Sequence, residues 1–172
     1  FTDLGNARRL VDNYPLEIIY CVPRRAWYVF DGTRWKTDMD GEIHRCAKAA
    51  IGGIFAEADA CTDPDMAKAL RKHATRSESA RSLAAMVHLA GTEPNVAVTP
   101  ERLDRDPWLF NVANGTLNLK TGKLSSHDRA DFLTKVSPVE WLEDAECPHW
   151  DAFLDYAMQE DKEVIGFIHR FF

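Results

Sequence analysis

No stretch of these 172 residues fits the phosphate-loop pattern G-x-x-x-x-G-K-[ST]. The only paired glycines, Gly52-Gly53, run into Ile54-Phe55-Ala56-Glu57, which supplies neither the lysine nor the hydroxyl that cradles a nucleotide phosphate. That argues against an ATPase within these residues. Four cysteines, Cys21, Cys46, Cys61 and Cys147, form no C-x-x-C pair and no knuckle spacing. The expectation is reduced thiols of an intracellular protein rather than a disulfide framework or a zinc site. A signal peptide and an apolar run of membrane-spanning length are both lacking, so a soluble, cytoplasmic chain with no membrane partner is expected. No serine or cysteine has the flanks of a nucleophile elbow. Net positive charge is missing too: the formal balance is -6, which excludes a surface attracting nucleic acid everywhere by bulk charge.

The charge that is present is unevenly placed. Val139 to Glu163 holds nine acids against the single base Lys162. Between Met66 and Ser82 the sign reverses, with Lys68, Arg71, Lys72, Arg76 and Arg81 against Glu78 alone. Lys68, Arg71 and Lys72 fall on one face of a helix and Arg76 lies near it, so these four are the candidate nucleic-acid-binding residues. The competing reading is an ordinary solvated face, or one that pairs with the acidic last third of a neighbouring copy.

Two acidic pairs invite a metal reading. Asp38-Met39-Asp40 has the D-x-D form that can hold the Mg²⁺ of a nucleotidyl transferase. It stands before a helix without a third carboxylate, so capping is the expectation. Asp104-Arg105-Asp106-Pro107 reads as a turn ahead of a proline. The six histidines are scattered, and neither His44 with Cys46 nor Cys147 with His149 places two ligands on one helical face. No metal, no cofactor and no catalytic residue is expected here. Trp27, Tyr28 and Trp35 could stack on bases, but their hairpin spacing favours a place in the core.

The pattern along the chain is α+β, helix-dominated, with small antiparallel hairpins and a meander, in a single domain over 1–172. Thr2-Asp3 caps a first helix, and runs at Glu17–Val22, Ala26–Phe30 and toward Trp35 form a hairpin region within 1–40. In the helical middle, 41–95, apolar residues from Ile43 to Ala58 keep a 3, 4, 3, 4 spacing, which defines one buried face. Gly52-Gly53 in that helix suggests a close approach by another element. Asp63-Pro64 opens the next helix, and Ser77 or Ser79 the one after. A meander follows over 103–136, with Asn114-Gly115 as a type I′ turn, Thr121-Gly122 as a second reversal and Phe132–Val136 as a further strand. Helices over 148–172 close the chain: Trp150, Phe153, Leu154, Ala157 and Met158 stripe the first, and Val164, Phe167, Ile168 and Phe171 share a face of the second that Ile165 and Phe172 widen. The start on Phe1 and the uncapped apolar end lead to the expectation of a fragment of a longer protein.

The residues Leu103 to Leu124, LDRDPWLFNVANGTLNLKTGKL, resemble the phage and plasmid primase family. The likeness is to the domain immediately N-terminal to the superfamily III helicase in poxvirus- and satellite-phage-type primase-helicases. Ala145 to Leu154, with Cys147-Pro148 and Trp150, resembles a second segment of that family. Thr2 to Ala7 and the hairpin from Trp27 to Trp35 resemble its start, and Asp161 to Phe172 the helix leading into the ATPase core. The resemblance implies a non-catalytic linker or collar between a primase and a ring-forming helicase in a bacterial host. Its implied partners are those two domains, further copies of the chain, and DNA. ATP and Mg²⁺ belong to the neighbouring domains. A dedicated DNA-binding module for origin or fork DNA is the alternative.

Overall fold

The longest apolar rhythm of the sequence sets the architecture. Helix α2 (Glu42–Ala60) buries Ile43, Cys46, Ala47, Ala50, Ile51, Ile54 and Ala58 along one face, as its spacing demands. Against it and each other pack α1 (Asp3–Asn13), α3 (Pro64–Ser77) and α4 (Ala80–Ala90). Their starts are fixed by side-chain caps: Thr2 Oγ1 accepts from the Gly5 amide, Asp63 from the Asp65 and Met66 amides, and Ser79 from the Ser82 amide. Ser77, the other candidate cap for α4, is instead buried and accepts a bond from Asn6 Nδ2 at 2.9 Å. The computed structural model describes residues 1–171. Phe172 and the side chain of Phe171, both expected on the last apolar stripe, lie outside the described residues.

The helical layer lies on a four-stranded sheet. Strands β1 (Ile18–Cys21), β2 (Ala26–Phe30) and β3 (Trp35–Thr37) pair antiparallel, and β4 (Ala97–Val98) adds parallel to β1, giving the order β3-β2-β1-β4. Strand alternation divides the apolar side chains between two clusters. Ile18, Tyr20, Trp27 and Val29 face the helices, whereas Ile19, Cys21, Tyr28 and Trp35 join Val98, Leu103 and Phe132 on the other side. Both faces of the sheet are therefore covered.

A second sheet, in the order β5-β6-β7, is the expected meander: β5 (Leu109–Val112), β6 (Gly115–Asn118) and β7 (Lys123–Ser125). Its first turn differs from the expectation. Val112 pairs with Gly115, so Ala113 and Asn114 form the loop and neither has a positive φ. A type I′ turn needs positive φ at both central residues, so this is not one. Gly115 is required for another reason: a Cβ there would overlap the Ser125 carbonyl oxygen of β7 and crowd Leu124. Asn114 spends its amide on Trp141, donating to its carbonyl and accepting from its N–H, each at 2.9 Å. The second reversal is as expected, with Gly122 at φ 68° and its amide bonded to Asn118 O.

Two further expectations fail on physical grounds. Phe132–Val136 is not a strand, because its backbone groups are taken singly by other parts of the chain. Leu133 O accepts from the Trp35 amide, the Thr134 amide donates to Asp104 Oδ1, and Lys135 O accepts from Asn111. Phe132 itself has φ 53°, outside the strand region. Gly52 and Gly53 admit no close neighbour either, since a Cβ at either one meets nothing within 4 Å.

The chain separates into two compact units, Phe1–Trp141 and Leu142–Phe172. The second holds α5 (Pro148–Ala157) and α6 (Lys162–Phe171), the latter capped by Asp161 through the Glu163 and Val164 amides. Of the stripe on α5, Leu154 is buried, while Trp150 and Phe153 stay exposed and stack with ring centroids 5.7 Å apart.

Candidate nucleic-acid interface

Pro64 pre-sets the first turn of α3, Asp63 caps it, and Ala67, Ala74 and Ser77 are buried on its inner side. That register leaves the opposite side to Lys68, Lys72 and Arg76 and puts Arg71 at its margin, in the row of Ala67 and Ala74; all four are exposed. All four residues picked out in the sequence are thus solvent-exposed, but they spread over an arc of α3 with Arg71 at its edge. They are not equivalent. Arg71 Nη2 bonds Asp59 Oδ1 of α2 at 2.6 Å, which offsets part of its charge. No ion pair among the described residues involves Lys68, Lys72 or Arg76. The Asp59 partner could not be read from sequence, because it depends on how α2 and α3 pack.

Arg76 also meets a residue outside the original four. Arg76 and Arg81 line a shared depression of about 600 Å³ where α3 passes into α4, with Ser79, Ser82 and His73 on its walls. His73 Nε2 lies 2.9 Å from Asn6 Oδ1. Burial, together with the charges of Arg9 and Arg76, lowers the pKa of His73.

The D-x-D pair is a helix cap. Asp38 Oδ1 accepts from the Gly41 and Glu42 amides at 2.9 and 2.8 Å, and Oδ2 from Ile43 at 3.0 Å, while Asp40 pairs with Arg45 at 3.2 Å. Burial opposes ionisation of Asp38, but the amides of Ile43, Glu42 and Gly41 outweigh it and hold the carboxyl below its ordinary value. Asp38→Ala is expected to cost about 1–2 kcal/mol at neutral pH, the usual worth of an N-terminal cap. Because the folded-state pKa is the lower one, that contribution is full above the unfolded value of about 3.9. It is lost as pH falls through the folded value. Urea titrations of parent and variant at stepped pH should converge in acid; a constant gap would contradict this assignment.

The second acidic pair also builds turns. Asp106 Oδ1 accepts from the Trp108 amide at 2.9 Å, and Asp104, at φ 52°, binds the amide and hydroxyl of Thr134. Of the aromatics weighed for stacking, Trp35 and Tyr28 are buried and Trp27 packs on Tyr20 at 5.1 Å, so all three serve the core. Cys21 and Cys46 are buried, Cys61 half-buried and Cys147 exposed, all as free thiols. Among the described residues no three of His, Cys, Asp or Glu are grouped to hold a metal ion, and no helix is long and apolar enough to cross a membrane.

Fold and site thus define a helix-dominated α+β module whose clearest charged feature is the cationic outer face of α3. The family model described as D5 N terminal like matches residues 7–159. The chain belongs to that family, the N-terminal domain of D5-like phage and poxvirus primase-helicase proteins. No curated protein matches it.

Proposed function

We propose that this chain is a non-catalytic linker or collar domain of a phage or prophage replicative primase-helicase. It joins the primase to a superfamily III helicase, supports assembly of a homo-oligomer, and contacts the DNA backbone through α3 during replication in the bacterial cytoplasm. ATP and Mg²⁺ serve the neighbouring domains rather than this one. Family membership supports the setting. The observation that carries the DNA contact is the exposed quartet Lys68, Arg71, Lys72 and Arg76 along α3. Point charges on a helix suit phosphates, which fix position without reading sequence.

Salt-titrated duplex binding tests this. In Lys68→Glu/Arg71→Glu/Lys72→Glu, affinity at low salt should fall at least about tenfold. The slope of log K against log salt should shrink by roughly 0.9 for each phosphate that is no longer neutralised. Arg71 should contribute least, because Asp59 already holds it. Unchanged affinity overturns the α3 assignment. The alternative, a dedicated DNA-binding module for origin or fork DNA, rests on the same helix. Light scattering at high protein concentration separates the two: self-association supports the collar, and a strict monomer that still binds DNA supports the module.

A further inference from the structure

The meander carries an apolar face that the fold leaves exposed. Alternation along the strands puts Trp108, Phe110, Leu117 and Leu119 on one side, and Leu124 completes the cross-strand row Phe110–Leu117–Leu124. The opposite side turns inward with the buried Asn111 and Thr116. On the outward side Val112 and Leu117 are covered, but Trp108 is 46%, Phe110 48% and Leu119 50% exposed. The charge of this segment runs against that of the whole chain. From Pro107 to His127 there is no aspartate or glutamate, only Lys120 and Lys123, in a protein of net charge -6. Lys120 Nζ stands 4.9 Å from the Trp108 ring centroid, so a cation is already seated beside the larger aromatic.

We propose that this face binds single-stranded nucleic acid, with Trp108 and Phe110 stacking on bases and Lys120, seated beside Trp108, meeting a phosphate. Exposed aromatics beside cations on a sheet are what an unpaired strand needs, since every base has a flat apolar face and every link a negative charge. Spacing favours a single strand over a duplex. Same-face residues two apart on a strand stand about 6.8 Å apart, twice the roughly 3.4 Å step of stacked duplex bases. Each ring therefore meets a separate, splayed base. A cleft of about 350 Å³ opens beside Phe110, lined also by Pro107, Val136 and Lys135. Asp104 and Asp106 border it too, but their carboxylates are engaged by Thr134 and the Trp108 amide. The meander shares no residue with α3, so the two DNA contacts stand or fall separately.

The test is anisotropy of a labelled oligo-dT of about 20 nucleotides, with duplex of the same length measured in parallel, on the 172-residue chain. Trp108→Ala/Phe110→Ala should weaken oligo-dT binding roughly a hundredfold, about tenfold per ring, while duplex affinity changes little. Trp108→Tyr should retain binding within a few-fold, because a stacking ring remains. Lys120→Gln should reduce the single-strand salt slope by about 0.7, the loss of one phosphate contact. Unchanged oligo-dT affinity in the double alanine variant overturns the proposal, and if that variant also loses any self-association the parent shows, the face belongs to a second copy. Should the alanine variant not fold, the lysine variant decides: an unaltered salt slope overturns the proposal equally. Loss of oligo-dT binding with α3 intact, or of duplex binding with the meander intact, keeps the two DNA contacts distinguishable.

Discussion

Replacing Trp35 with alanine is expected to remove about 3–5 kcal/mol of stability, the range for deleting a large buried aromatic. Trp35 is 0% exposed at the start of β3. Its ring lies parallel to Phe132 with centroids 5.9 Å apart, meets Phe30 edge-on at 5.7 Å, and donates from Nε1 to Arg129 O at 2.9 Å. Its own amide donates to Leu133 O at 2.8 Å. One residue thus supplies both the packing and the polar anchorage that hold 129–133 against the first sheet. Alanine would leave a cavity, remove one of the two donors to the Arg129 carbonyl, which would keep only the Phe132 amide, and release the support under Phe132. Trp35→Phe separates these contributions. It keeps most of the ring packing and loses the indole donor, so a smaller cost of about 1–3 kcal/mol is expected. A domain is stable by only about 5–15 kcal/mol, so the alanine variant should show a clearly lowered urea midpoint. A loss below about 1 kcal/mol would mean that Trp35 is not the anchor described.

The parts of this fold that were legible in the sequence are those set by short-range chemistry. Helices α1 to α4 announce themselves through Thr2, Asp63-Pro64, Ser79 and the unbroken periodicity from Ile43 to Ala58, because caps and amphipathic faces act within a few residues. Features that depend on distant partners were not legible. β4 is two residues long and exists only because Tyr20 and Cys21 offer an open edge to Ala97 and Val98. Phe132–Val136 has the composition of a strand, yet its hydrogen bonds are claimed by Trp35, Asp104 and Asn111, none of them within 20 residues. Asn114-Gly115 marks a hairpin correctly, but its register follows from the closeness of Gly115 to β7, which turn chemistry does not encode. The cationic face of α3 was readable because it needs only the register of one helix. Its pairing of Arg71 with Asp59 was not, nor was the exposure of Trp108 and Phe110, which depends on what the rest of the chain leaves uncovered.

Asn111 accounts for the one polar residue in the apolar run Leu109–Val112, and its replacement should cost nearly as much as that of Trp35. The residue is 5% exposed, and its amide is fully used. Nδ2 donates to Thr33 O at 2.8 Å and to Lys135 O at 3.1 Å, while Oδ1 accepts from Thr116 Oγ1 at 3.2 Å and lies 2.8 Å from His127 Nδ1. Asn111 therefore ties the meander to the β2–β3 turn and to the segment after Phe132. Asn111→Ala removes both donors at once. With about 1–3 kcal/mol lost for each buried group left unsatisfied, a cost of about 2–5 kcal/mol is expected. Asn111→Asp is the sharper test, because it preserves shape and replaces the NH₂ by an oxygen facing two carbonyls. A carboxylate there has no donor to meet those oxygens, so its folded-state pKa must rise above the unfolded value of about 3.9. A carboxyl with a raised folded pKa destabilises at neutral pH, and the loss is recovered as acid protonates it. The aspartate variant should therefore be less stable than the alanine variant at pH 7 and regain part of the difference near pH 4, read by urea midpoints. Hydrogen exchange of the β5–β6 amides should accelerate in both variants, since the meander would have lost its tie to the first sheet. An aspartate variant as stable as the parent at pH 7 would show that the amide donors of Asn111 do not hold the two sheets together.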